Sequence, residues 1–212
     1  MLQFNSANLA AVGPFVSRYA PWQSIHLSAH AGGVMATACD GGKAIAMAFD
    51  PGGRADENCD LLPSSELLRA CAGIKSADRD VRIEADAALV TTYRKTANDE
   101  VRQYPIQRSL IPFPSIDNLL EAVLERWGAQ PASSDTAGRY DSFYLEKAIK
   151  TASFLNTSLV LSAFDGGPLR LQNNTGTLCI LIMPQKAEPI PPVPDWIQLC
   201  AIPTACQGVQ SR

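Results

Sequence analysis

Residues 35–50 read MATACDGGKAIAMAFD, two alternating apolar runs on either side of an Asp-Gly-Gly turn. Alternation places successive side chains on opposite faces of a strand. Asp-Gly between two such runs is a strong hairpin signal, because glycine adopts positive φ without a steric penalty. The stretch therefore predicts two antiparallel strands joined by a tight turn.

The segment before this hairpin supplies a helix and a further strand. Residues 5–19 carry apolar side chains at helical spacing, with Asn5 or Ser6 as the N-cap. Pro14 lies inside this pattern and predicts a kink in the helix. Residues 24–30 (SIHLSAH) alternate and predict a half-buried strand. Together these segments form one unit, a helix followed by three strands.

The same order recurs twice more along the chain. Short strands are predicted at residues 2–4 and 59–63, each directly before a helix. The second unit comprises a helix at 64–74 and strands at 80–85, 88–93 and 100–106, and the third a helix at 142–155 and strands at 158–164, 168–172 and 177–183. The third helix is predicted to bury Leu145, Ala148, Ile149 and Ala152 and to expose Lys147, Lys150 and Thr151. Recurrence at this scale is typical of a repeat architecture.

The chain therefore predicts an α+β fold of repeated helix-plus-three-strand units, with antiparallel sheets on one side and helices on the other. A generic α+β protein is the alternative. We divide the chain into a first domain of two units (1–114), a helix and linker (115–138), a second, abbreviated domain of one unit (139–186) and a proline-rich C-terminal tail (187–212).

Composition excludes several classes of function. The 212 residues are 46% apolar and carry a net charge of −3, so a core can form and any nucleic-acid surface must be local. The sequence has no signal-peptide pattern and no apolar run of membrane-spanning length, which predicts a cytoplasmic protein that binds no membrane. Six cysteines lack a CxxC pair and are expected to be reduced, namely Cys39, Cys59, Cys71, Cys179, Cys200 and Cys206. With only two histidines, we expect no metal and no cofactor.

Several of these motifs, taken in order, resemble bacterial DNA sliding clamps, the beta subunit of the replicative polymerase. ACDGGKAIAMAFDPGG (38–53) resembles a strand–turn–strand signature of the clamp's middle domain, and PFPSID (112–117) resembles the motif that closes that domain. YLEKAIKTA, LVLSAFDGGPLRLQ and LCILIMPQ resemble the second half of the clamp's third domain. The resemblance spans most of residues 1–186 and implies a DNA-clamp-like fold.

The chain also departs from that family. A clamp domain needs two units, whereas this chain has three; the family's first domain is missing, and residues 115–138 stand where the third domain would begin. A homo-oligomer is expected. A closed trimer of short subunits and a monomeric or dimeric adaptor both remain open.

The resemblance implies a pocket that binds short peptides of polymerase or repair proteins. Carried over by motif, its residues are Cys39, Gly41, Gly42, Lys43, Ala44, Leu181 and Met183. Glycine allows close backbone approach, and methionine adapts to varied apolar side chains. Gly42 and Ala44 replace the family's histidine and leucine, which implies a shallower pocket. The alternative is that the glycines only make the turn and Met183 only fills the core.

The resemblance also implies non-specific contact with the backbone of double-stranded DNA through basic residues on outward helix faces. The candidates are Arg18, Arg69, Lys75, Lys147 and Lys150. Such contacts read no bases and weaken with salt. Ordinary surface charges are the alternative.

Two further hypotheses come from single features. A hydrolase pairing Cys39 with His26 or His30 is conceivable, but no nucleophile elbow, phosphate loop or metal motif supports it. Residues 197–202 (IQLCAI) loosely resemble the Gln-Leu-x-x-aromatic peptide that partners insert into clamps. We therefore predict a non-enzymatic, clamp-like processivity factor or docking platform; the alternative is a clamp-fold interaction module that does not encircle DNA.

Overall fold

The computed structural model describes residues 1–30, 32–72, 78–95, 97–129, 136–163 and 166–189, together with Pro192 and Pro194. Of the residues discussed above, Lys75, Cys200, Cys206 and the 197–202 segment lie outside this part of the chain.

All three predicted helix-plus-three-strand units are present, and they account for most of the secondary structure. The helices are α1 (Ala7–Val12), α2 (Ser65–Ala72), α3 (Asp117–Ala129) and α4 (Ser142–Phe154). The strands are β1 (Leu2–Asn5), β2 (Ile25–His30), β3 (Gly33–Cys39), β4 (Ala44–Asp50), β5 (Arg54–Ala55), β6 (Cys59–Leu62), β7 (Arg79–Ile83), β8 (Ala87–Thr92), β9 (Glu100–Pro105), β10 (Gln107–Arg108), β11 (Thr136–Arg139), β12 (Leu159–Ser162), β13 (Leu169–Asn173), β14 (Leu178–Ile182) and β15 (Lys186–Pro189). The α+β fold class is confirmed.

The strands form three antiparallel sheets. A five-stranded sheet has the order β5-β1-β7-β8-β9, and an eight-stranded sheet has the order β10-β6-β2-β3-β4-β14-β13-β12. A small third sheet pairs β11, from the predicted linker, with β15, which ends in the predicted tail.

The short strand that precedes the helix of each of the first two units pairs with the sheet of the other unit. β1 pairs with β7 of the second unit, and β6 pairs with β2 of the first unit. Each sheet is thus completed by a strand of the other unit. This exchange joins the first two units to each other.

The third unit continues the sheet of the first unit. β14 pairs with β4 along five residue pairs, from Leu178↔Ala48 to Ile182↔Ala44. On the helical side, the Thr151 hydroxyl of α4 donates to the carbonyl oxygen of Ala11 in α1 at 3.4 Å. This continuity is compatible with two domains joined sheet to sheet, and the division of the chain into domains stays a prediction.

One main core lies between the helices and the sheets. Leu9 and Val12 of α1, Leu67 of α2 and Ala148 of α4 are all buried in it. The strands beneath contribute small side chains, namely Ala36, Ala38, Ala44, Ala46 and Ala48. Because protein interiors are close-packed, such a small-residue surface requires α1 to lie close to β3 and β4.

Helix α1 is shorter than predicted. It ends at Val12, and Gly13–Phe15 continue as a 3-10 turn. Pro14 lacks the amide hydrogen needed for the next helical bond, so the chain changes conformation there rather than kinking. The cap contact comes from Asn5, whose Oδ1 accepts from the Ala7 amide at 2.9 Å.

Helix α4 buries a face shifted from the one predicted: Ala148 and Ala152 are buried as expected and Leu145 packs against the core, but two positions differ. Ile149, expected inside, has 63% of its surface exposed, whereas Thr151, expected outside, is 3% exposed. The buried stripe is Tyr144, Ala148, Thr151 and Ala152, at i, i+4, i+7 and i+8. The Thr151 hydroxyl tolerates burial because it is hydrogen-bonded.

Candidate docking site on the outer sheet face

A second, smaller apolar cluster lies on the face of the eight-stranded sheet that points away from α1 and α4. We call this face the outer face. In β3 and β4, the side chains that alternate with the core alanines lie on this outer face. The β14 side chains paired beside them lie on the same face. Its apolar residues, which we call the outer-face cluster, are Cys39, Ile45, Met47, Cys179, Leu181 and Met183.

The predicted turn lies at the edge of this cluster. Gly41 and Gly42 adopt φ of 58° and 77°, the left-handed region that glycine enters without strain. The Gly42 amide donates to Cys39 Sγ at 3.3 Å. The Met183 amide donates to the Lys43 carbonyl oxygen at 2.8 Å, so the end of β14 is fastened to the turn.

The structure therefore brings the two predicted pocket segments together, but it does not expose all their residues. Gly41, Gly42 and Lys43 are exposed and Met183 is half-buried. Ala44 packs into the main core, on the opposite face of the sheet. Cys39 and Leu181 are completely buried.

Helix α3 is what covers the cluster. Its approach segment and first turns pack Ile116, Leu119, Leu120 and Val123 against it. The sequence predicted a helix in this region, within residues 115–138, but not the surface that it covers. An apolar stripe predicts that a helix face is buried and leaves its partner unspecified.

Asp60 of β6 anchors the segment that leads into α3. One carboxylate oxygen lies 2.6 Å from His26 Nδ1, and the other accepts from the Phe113 amide at 2.9 Å. The Phe113 ring stacks on His26, with ring centroids 5.6 Å apart, and meets the edge of Trp22 at 5.5 Å. Phe113 belongs to the PFPSID motif, while Asp60, His26 and Trp22 were not predicted to contribute.

Asp40 connects the turn to α4. Its Oδ2 accepts from the Tyr144 hydroxyl at 3.0 Å and lies 3.5 Å from Lys147 Nζ. Burial, followed by the hydrogen bond to Asp40, raises the pKa of Tyr144. Lys147 also lies over the Phe143 ring at 4.3 Å. Lys147, a predicted DNA contact, is therefore largely buried and paired with Asp40.

The other predicted DNA contacts are spread over different elements. Arg69 is exposed on α2, and its Nε donates to the Ser65 carbonyl at 3.2 Å. Lys150 is exposed on α4 and forms an ion pair with Glu146 at 2.6 Å. Arg18 is exposed but follows the 3-10 turn and is not helical. Arg69 and Lys150 alone, among the described candidates, fit the expected exposed helix position.

The Cys–His hydrolase arrangement is not formed in the described part of the chain. Burial raises the pKa of the Cys39 thiol to about 11, which disfavours the nucleophilic thiolate. His26 is engaged by Asp60, and His30 makes an edge contact with Phe49. The same described residues contain no cluster of three metal-ligating side chains and no helix long and apolar enough to cross a bilayer.

Solved structures with this architecture are DNA sliding clamps. The proliferating cellular nuclear antigen of Entamoeba histolytica aligns with a TM-score of 0.53 and 9% identity, covering 87% of this chain and 98% of that one. The DNA polymerase III beta subunit of Thermotoga maritima aligns with a TM-score of 0.59 and 11% identity, covering 96% and 68%. The beta subunit from the DNA polymerase of Streptococcus pyogenes gives 0.58 and 12%, covering 87% and 65%.

At these identities the likeness establishes the fold. No family model matches the sequence, and no curated protein sequence is significantly similar to it. The chain thus has the DNA-clamp fold that the motifs predicted, with a sequence only 9–12% identical to these clamps of solved structure.

Proposed function

We propose that this protein is a clamp-like platform. Copies of the chain join through their sheet edges, the assembly surrounds double-stranded DNA with its helices inward, and DNA-processing proteins dock on the outer face through short peptide segments. The clamp fold is the observation that carries this proposal, because it places a helical layer and a sheet layer on opposite sides of one chain.

The long sheet edges support assembly of several copies. Within the described residues, β12 ends the eight-stranded sheet and β9 ends the five-stranded sheet. Val160 and Leu161 of β12 are 50% and 59% exposed, and Val101 of β9 is 58% exposed. β12 (LVLS) has no charge or proline, and such an apolar edge strand is a template for pairing with another chain, whereas β9 carries Glu100, Arg102 and Pro105. Pairing of β12 with β9 of the next copy would be head-to-tail, which generates rings or filaments.

The docking role is supported by the turn and its surroundings. Gly41, Gly42 and Lys43 are exposed beside Met183, and Asp40 holds the turn against α4. A fixed turn presents its backbone in one arrangement beside the exposed Lys43 side chain, which reduces the backbone entropy lost when a peptide binds.

One observation favours a second candidate, a docking module that does not encircle DNA. The described charges on α1, α2 and α4 are Glu66, Arg69, Glu146, Lys147 and Lys150, a net of +1 from three bases and two acids. Lys147 and Lys150 are paired with carboxylates. A helical layer with so little free positive charge would attract DNA weakly.

Assembly in the presence of DNA separates these candidates. Dilute protein would be mixed with nicked circular plasmid, concentrated, and passed over a sizing column at moderate salt, with and without later cutting by a restriction enzyme. A clamp co-elutes with the circle and is released by linearisation. A docking module elutes apart from both forms of the plasmid.

A peptide-binding measurement tests the outer face. Anisotropy of a labelled Gln-Leu-x-x-aromatic peptide should rise with wild-type protein, and Lys43→Glu should weaken binding several-fold. Lys95→Glu, an equal charge change at another exposed site, is the matched control. Equal binding by both variants would remove the turn from the docking site.

A further inference from the structure

Helix α3 has the side-chain pattern of a ligand for the sheet that it covers. Ile116, Leu119, Leu120 and Val123 follow i, i+3, i+4, i+7 spacing and all contact the outer-face cluster. Val123 is the most deeply buried of them, at 4% exposure. Leu124, on the other side of the same helix, is 61% exposed. The contact is therefore confined to one face of the helix.

Residues 118–125 of α3, whose side chains the structure describes, meet the sheet through apolar contacts. The polar anchors lie before the helix, at Asp60 and Phe113, and Ser115 Oγ accepts from the Asp117 amide at 3.3 Å. Within residues 118–125, no side chain or backbone group is hydrogen-bonded to the sheet. Such a helix can leave the sheet without stranding a buried hydrogen-bonding group, while its approach segment stays attached.

Two of the predicted pocket residues lie in the cluster that α3 covers. Cys39 and Leu181 have no exposed surface in the covered state. A partner that needs this surface binds only the fraction of molecules in which it is open, so its apparent dissociation constant rises in inverse proportion to that fraction.

We propose that α3 is an intrachain occupant of the outer-face cluster, and that the cluster accepts an amphipathic helix with apolar residues at the spacing found in α3. A partner helix of this pattern binds by displacing α3. This inference rests on the outer face being the docking surface of the proposed function, and it adds the kind of partner and the regulation of that site. The charge on α3 fits a displaceable cover, since Glu121 and Glu125 face solvent.

The test uses the full chain and the α3 sequence itself as the probe. A fluorescein-labelled peptide of residues 114–127 (PSIDNLLEAVLERW) is titrated with wild-type protein and with Val123→Asp, which prevents the resident helix from seating. The variant should bind the peptide at least about tenfold more tightly, a difference of roughly 1.4 kcal/mol. Leu124→Asp, the same change on the exposed face of the helix, should bind like the wild type.

A second variant guards against a folding defect in the first. Ala122→Pro breaks the helix from an exposed position and places no charge in the cluster. Circular dichroism confirms that each variant is folded. Adding Met183→Asp to either variant should abolish the gain, because it damages the receiving surface. Peptide binding no tighter than wild type in both folded variants would overturn the proposal.

This result is independent of the clamp assignment. The titration needs neither DNA nor a second copy of the chain. The chain could fail to assemble or to retain circular DNA while the α3 variants bind the peptide tightly. That result would contradict the proposed clamp-like platform and support α3 as the occupant of the outer-face cluster. If the chain assembles on DNA and the variants bind the peptide no more tightly than the wild type, only the proposal that α3 occupies the cluster is contradicted.

Discussion

Asp40 shows how one residue in a turn can have two roles. Its backbone closes the hairpin, with the Asp40 amide donating to the Ala44 carbonyl at 2.9 Å. Its carboxylate receives the Tyr144 hydroxyl and faces the Lys147 ammonium. The sequence predicted the first role from the Asp-Gly-Gly pattern. The second joins positions more than 100 residues apart and leaves no local signal.

Replacing Tyr144 with Phe should destabilise the protein. The substitution keeps the ring in the core and removes a hydrogen bond to a charged group, at a cost of about 1–3 kcal/mol. Urea unfolding followed by circular dichroism measures the change. Tyr19→Phe is the matched control, because Tyr19 is 79% exposed, and it should leave the midpoint unchanged. An equal effect of the two substitutions would argue against the Asp40 contact.

The buried thiol of Cys39 should make stability depend on alkaline pH. Burial raises its pKa from 9.0 to about 11, so the folded state holds a proton that the unfolded state loses. The stabilisation is complete below pH 9 and disappears as the pH rises to 11, with a size on the order of 2 kcal/mol. Between pH 8 and pH 11, the free energy of unfolding should fall less steeply with rising pH for Cys39→Ala than for the wild type. Parallel pH profiles would show that the thiol does not contribute.

At the scale of elements, the hairpin depends on two left-handed residues. Gly42 has φ of 77° and no neighbouring atom within 4 Å of the place where a Cβ would be, so only backbone strain opposes substitution. Gly42→Ala should cost about 1 kcal/mol in the free energy of unfolding. Gly52→Ala, in a turn whose glycine does not have positive φ, should change it by less than about 0.5 kcal/mol. Thermal melts of both variants provide the comparison.

Element identity was predictable because each element has a local pattern. The β3–β4 hairpin follows from alternation and glycine, and α4 begins where Asp141 caps it, with its Oδ1 accepting from the Phe143 amide. The predicted end of α1 was wrong because Pro14 was expected to kink the helix, whereas the helix ends before it, at Val12. The buried face of α4 was misassigned because Thr151 is polar by type, yet its hydroxyl is satisfied by Ala11.

Element partners were not predictable, since periodicity does not say which surface an element meets. Residues 2–4 were predicted as a strand, but nothing in them specifies pairing with Arg79–Ile83 of another unit. For the same reason, the sequence did not predict that α3 covers the candidate site. The sequence predicted a helix within residues 115–138, whereas its burial against Cys39 and Leu181 required the folded sheet.

For the molecule as a whole, the proposed platform depends on the sheet edges that end the described part of the chain's two large sheets. β12 exposes Val160 and Leu161 at the end of an eight-stranded sheet. In a lone monomer these groups would stay in water, whereas pairing with β9 of a second copy would bury them and satisfy the edge amides. The proposed platform therefore requires a defined multimer.

The mass of the assembly in solution tests this requirement most directly. Sedimentation velocity of the wild-type chain should show one discrete species at a whole multiple of the chain mass, and Val160→Lys should reduce it to the monomer. Lys186→Glu, away from both edges, should leave it intact. A wild-type chain that sediments as a monomer at every concentration would contradict the account.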